Sequence, residues 1–144
     1  MIARAIAGAL LSAAIALAAW RAGPLSRSGA VAALFIGTLA VAAGWDFGGL
    51  LILYFVSSSL LSRMGAAVKA QRSGSIVEKG GARDATQVLA NGAVFAVAAA
   101  LQLVYPSFMW LAAGAGALAA SAADTWGTEI GMLSKAPPRM ITTW

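Results

Sequence analysis

The chain has 144 residues and a formal charge of +5, yet only 10% of it is charged while 60% is hydrophobic. A soluble domain carries about 25% charged residues, so this composition excludes a water-covered globule and points to a membrane protein. With no Cys and no His, disulfides, thiolate or imidazole catalysis and soft-metal sites are excluded, and any metal takes oxygen ligands such as Mg²⁺.

A spanning helix needs about 17–25 mostly apolar residues, and five segments supply them in chain order: 2–20, 29–45, 47–62, 85–104 and 107–126. The first also has the look of a cleaved signal peptide, with one basic residue and an "ALAA" stretch, but a first span of a multi-span protein is the favoured reading. Five spans put residues 21–28, 63–84 and 127–144 on one side, which then holds every Lys and Arg except Arg4. The positive-inside rule makes that side cytoplasmic, with the N-terminus out and the C-terminus in. This uneven distribution reads as the basic bias of cytoplasmic loops, with no nucleic-acid partner. Glu78, Asp84, Asp124 and Glu129 share that side, and Asp46 falls in an external turn. The expectation is therefore an all-α, polytopic transmembrane helix bundle, one integral membrane domain over 1–144, in a bacterial-type plasma membrane. The fifth segment carries Ala112, Gly116 and Ala120 at four-residue spacing. Small residues so spaced let helix backbones approach closely in lipid, so this helix is expected at the buried centre of the bundle.

Three polar groups interrupt the apolar pattern. In "KGGARDATQVLANG", 79–92, Asp84 followed by Gln87 reads as a helix cap. Gln87 and Asn91 share a face, and an amide as deep as Asn91 needs a partner. It is either helix–helix glue or a ligand-binding group at the cytoplasmic rim. Arg83 beside the new helix N-terminus makes a candidate phosphate site, although no P-loop is present. In "AADTWGTEIG", 122–131, Ser121, Asp124, Thr125 and Thr128 share one helical face. Glu129 lies about 140° round from Asp124 at ~100° per residue, so the two carboxylates converge only if the helix breaks at Gly127. Converged, they would form a hard-cation set for Mg²⁺ and a nucleotide's phosphates; otherwise they pair with Arg63 or Arg83 and tie loops together. The serines of "SSSLLS", 57–62, either bond back to their own helix or line the same cavity. The basic loop 63–84 either attracts anionic lipid or covers a nucleotide.

The stretches "LSRSGAVAALFIGTL", "GGARDATQVLANG" and "AADTWGTEIGMLSKAPPRMITT", in this order from about residue 25 onward, resemble the phytyl-phosphate kinase family of multi-span membrane proteins. The resemblance implies a CTP-linked kinase acting on isoprenoid monophosphates, akin to CTP-using phytol and dolichol kinases. The matching positions are Gly81, Arg83, Gln87, Asn91 and Gly92, then Asp124, Trp126, Glu129 and Gly131, and finally Pro138, Arg139, Thr142 and Thr143. In the family a Gly/Thr-rich motif follows, whereas this chain stops at Trp144. That departure makes a homodimer or a separate C-terminal partner segment an expectation. On this reading Asp124 and Glu129 hold Mg²⁺ and are the catalytic pair. Arg83, Asp84, Gln87, Asn91, Thr125, Thr128 and Arg139 bind the nucleoside triphosphate, CTP by preference, or the lipid phosphate. The rival reading is non-enzymatic: a lipid-phosphate binding or transport protein, or a structural subunit.

Overall fold

The computed structural model describes residues 2–73, 81–135 and 142. Six helices follow one another: α1 (Ile2–Arg21), α2 (Arg27–Ala43), α3 (Trp45–Arg63), α4 (Ala66–Ser73), α5 (Ala85–Val104) and α6 (Phe108–Gly131). The described residues contain no strand, and one isolated parallel bridge pairs Leu25 with Arg83. All five predicted segments are helical. Three of the helices, α1, α3 and α5, are long and apolar enough to cross a membrane, and α2 is a shorter apolar helix.

The helix starts are written in the sequence. Ser26, Asp84 and Ser107 each sit in extended backbone and turn a side-chain oxygen onto a free N–H of the helix they open, at 3.1, 2.9 and 3.3 Å. Such caps satisfy donors that have no partner inside the helix. A single residue, Gly44, closes α2 and opens α3. The end of α3 depends on Gly65, whose φ of 64° lies in the left-handed region that favours glycine. Beyond that turn comes α4, whose Lys69 reaches back to the Leu61 carbonyl of α3, so the basic loop is helical in its first part.

Packing follows side-chain size. The face that α1 lays on α2 is made of Gly8, Ser12, Ala16 and Ala19, spaced one helical turn apart. Lipid offers no hydrophobic drive between helices, so close van der Waals approach through small residues holds them. The main core lies toward the α2–α3 turn and joins Ile36, Ala40 and Ala43 of α2 to Phe47 of α3, Phe95 and Ala99 of α5, and Leu118 of α6. Its centre is the tilted Phe47–Phe95 pair, with ring centroids 5.7 Å apart.

Two expectations about α6 fail. It runs unbroken through Gly127. An internal glycine costs about 1 kcal/mol relative to alanine, too little to break a helix anchored on either side of it by Trp126 and Glu129. Nor is α6 central. It packs on α5 and α3, buries only Gly114 and Leu118, and leaves Ala112, Gly116 and Ala120 exposed. Small residues permit close packing, but they cannot supply the neighbour.

Candidate functional site

One end of the bundle gathers the last turns of α1, α3 and α6 and the first turns of α2 and α5. Backbone hydrogen bonds lock the segment before α5 to the segment before α2: Arg83 N–H donates to Pro24 C=O at 2.9 Å, and Ser26 N–H donates to Arg83 C=O at 3.0 Å. The Ser28 hydroxyl accepts from Ala85 N–H at 3.3 Å. Gly29 makes this approach feasible, because a Cβ there would sit 2.0 Å from the Arg83 carbonyl oxygen. The backbone at Arg83 is therefore fixed before its side chain is considered.

That side chain reaches from the segment before α5 to the last turns of α3. Its guanidinium donates to Ser62 Oγ at 3.1 Å, to the Ser58 carbonyl at 3.3 Å and to Ser59 Oγ at 3.4 Å. All three acceptors are neutral. Among the described residues the ion pair is Lys69–Glu129, at 2.7 Å, and Arg83 has no carboxylate within ion-pair distance. The α3 C-terminus offers the negative end of a helix dipole, which helps hold the cation without neutralising it.

Glu129 does other work. It accepts from Lys69 Nζ and from Ser62 Oγ, while Lys69 Nζ also donates to the Leu61 carbonyl. Glu129 lies past the predicted span. Burial disfavours its charged form, but hydrogen bonds from Lys69 and Ser62 and the charges of Lys69 and Arg83 outweigh that, and the carboxyl is held below its usual range. Ser58, fully buried, accepts from the Trp126 indole N–H at 3.1 Å. Ser57 alone of these serines follows the expected back-bonding, to Leu53 C=O at 2.7 Å. The network Lys69–Glu129–Ser62–Arg83–Ser58–Trp126 thus ties α4, α6 and α3 to the segment before α5.

The residues singled out in the sequence divide on this geometry. Asp84 is the α5 cap, as the sequence suggested, and Gln87 supplies the capped N–H. With Ala85 N–H taken by Ser28, the α5 N-terminus is less open to phosphate than expected. Asn91 accepts a hydrogen bond from Ser121 through its backbone carbonyl, at 2.9 Å. Its side-chain amide makes none among the described residues and faces a cavity. Thr125 meets the Tyr54 hydroxyl at 3.5 Å. Asp124 and Thr128 are exposed, one turn apart, with no bonded partner among the described residues. Because α6 does not break, Asp124 and Glu129 do not converge on one cation. The loop-tie alternative holds for Glu129, with Lys69 as its partner rather than Arg63 or Arg83. Arg63 instead donates to the Ala22 carbonyl at 3.0 Å. Arg139 lies outside the described residues. Sequence reasoning passed over Lys69 as a site residue, since a lysine in a basic loop carries no signal of its own. It also underrated Ser58 and Ser62, whose four-residue spacing puts them on one face.

Arg83 and Asn91 stand in the wall of a cavity of about 100 Å³ otherwise lined mostly by apolar side chains, among them Leu25, Ile36, Leu51 and Phe55. The arrangement can hold an anion at one end and hydrocarbon at the other.

No solved structure matches the chain. Protein PGR of Arabidopsis thaliana is 29% identical over 155 residues, an alignment that covers 98% of this chain and 54% of that protein, so the chain spans about half the length of this relative. The integral membrane protein family DUF92 matches residues 10–144. With that match running from the middle of α1 through every later helix and each element of the polar end, the chain belongs to the DUF92 family of integral membrane proteins.

Proposed function

We propose that this chain binds an isoprenoid monophosphate at the polar end of the bundle and serves its phosphorylation by a nucleoside triphosphate, with CTP preferred. The observation that carries the reading is Arg83: a guanidinium with no carboxylate at ion-pair distance among the described residues, at the head of an apolar cavity. A phosphate is the ligand such a fork suits, since bidentate hydrogen bonding and charge act together. The lipid phosphate oxygen would attack the γ-phosphorus, the bond to the β-phosphate would break, and the nucleoside diphosphate would leave with that electron pair. The nucleophile is already anionic, so no general base is required, and positioning with charge neutralisation supplies the rate.

The chain's residues fit a metal only in part. Mg²⁺ is commonly held by one or two carboxylates plus substrate phosphates. Asp124, exposed and unpartnered among the described residues, suits that role beside Thr128; Glu129, engaged by Lys69, does not. Bound there, the ion would neutralise phosphate charge. The basic residues of the same end support a cytoplasmic orientation for it, and the membrane proposed is a bacterial-type plasma membrane.

The test is nucleotide binding by the purified chain in detergent, titrated with CTP and ATP in the presence and absence of Mg²⁺. Magnesium-dependent binding that Asp124→Asn abolishes and Arg83→Gln leaves in place is the expected result. A folded wild-type chain that binds neither nucleotide rules out phosphoryl transfer by this chain.

A further inference from the structure

A second space adjoins the cavity. It is a more open cleft of about 300 Å³ between α1 and α3, walled by Ala18, Ala19, Val56, Ser59 and Leu60. It exists because α1 is packed along α2 rather than along α3, while Arg63 pins the cytoplasmic end of the seam by its bond to the Ala22 carbonyl. Ile15 and Phe55 line both spaces. Ser59, in the cleft wall, accepts from the Arg83 guanidinium, which lines the cavity. The two spaces therefore meet at one cation.

Size decides what they can hold. A cavity of about 150 Å³ takes a single benzene, so the inner cavity of about 100 Å³ cannot enclose a chain of several isoprene units. A hydrocarbon tail whose phosphate sits at Arg83 must leave by an open side, and the α1–α3 seam is lined mostly by apolar side chains, with Ser59 and Arg63 at its polar end. Exposed apolar side chains flank that seam on both helices, including Leu11 on α1 and Leu53 and Val56 on α3. This surface suits lipid and would be unfavourable in water.

We infer that the seam between α1 and α3 is a lateral gate, through which the hydrocarbon tail of a membrane-resident prenyl monophosphate enters from the bilayer and along which it remains, while the phosphate binds Arg83. The inference rests on the function proposed above and adds the route and the seat of the tail. Ile15 and Phe55, shared by the two spaces, form the constriction between them, so the length of tail that passes is set there.

The experiment uses the full chain in lipid vesicles and a prenyl monophosphate carrying a diazirine at the far end of its tail. After irradiation the label is expected on α1 and α3, at positions such as Ala18 and Val56. Tryptophan at either of these exposed positions fills the cleft without entering the core. Ala18→Trp and Val56→Trp are each expected to weaken prenyl monophosphate binding about tenfold and to leave inorganic phosphate binding unchanged. Val97→Trp, on the exposed face of α5, is expected to change neither. Label confined to α5 and α6, or cleft variants that bind the lipid as the wild type does, overturns the gate. Failure of the underlying reading has a different signature: Arg83→Gln then binds prenyl monophosphate as well as the wild type, wherever the tail label falls. A wild type that takes up no prenyl monophosphate overturns both.

Discussion

The two ends of the bundle are held together by different physics. Toward the α2–α3 turn, Phe47, Phe95, Ala99 and Leu118 interlock with no polar group among them. At the other end Lys69, Glu129, Ser62, Arg83 and Ser58 form a chain of charge-assisted bonds that joins α4, α6 and α3 to the segment before α5. The apolar end depends on shape, which neither pH nor salt alters. Among the described residues the polar end depends on the Lys69–Glu129 ion pair and on serines at the close of α3, and its second cation, Arg83, has no carboxylate at ion-pair distance. A membrane bundle can keep a costly polar constellation only where another region supplies rigidity, which is the division of labour seen here.

The comparison is broken most severely at the core. Phe95→Ala removes the ring at the centre of four helices, and truncating a fully buried aromatic costs about 3–5 kcal/mol. Thermal unfolding in detergent is expected to show this loss undiminished between neutral and mildly acidic pH. A loss that varied with pH would mean that the two ends are not separable.

A smaller loss, of about 3 kcal/mol, is expected for Glu129→Ala, because it removes one partner of a largely buried, hydrogen-bonded ion pair. Here pH matters. The folded-state pKa of Glu129 is depressed, so its stabilisation is fully present above the ordinary glutamate range and is lost as pH falls through that range and below it. Wild-type stability should therefore decline in acid while Glu129→Ala stays flat, and the two curves should approach one another. Parallel curves would remove Glu129 from the account of the polar end.

The smallest effect is expected at Thr125. Its contact with Tyr54, at 3.5 Å, is at the limit of a hydrogen bond, so Thr125→Val should cost no more than about 0.5 kcal/mol. A larger loss would show that the network extends further along α6 than the distances indicate.

Much of this was legible in the residues. The five apolar segments, the cap at Asp84, and the crowding of basic residues at one set of helix ends follow from local rules of hydropathy and hydrogen bonding. Arg83 could be picked out because it stands at a helix start in an otherwise apolar chain. The pairing of Lys69 with Glu129, sixty residues apart, could not, because either residue alone is an ordinary surface charge. The position of α6 was misjudged for a related reason: Ala112, Gly116 and Ala120 mark a face that can be approached closely, whichever helix is there to approach it.

The sequence by itself determined that this is an all-helical membrane protein with its charges gathered at one end, since segment length, hydropathy and capping act within a few residues. The tertiary structure alone decided that Glu129 is tied to Lys69 rather than to Asp124. It also decided that α6 continues through Gly127 and that the Arg83 guanidinium donates its hydrogen bonds to neutral oxygens above an apolar cavity. Each of these depends on which helices touch, and contact between distant segments is fixed by the packing of whole faces rather than by the local pattern.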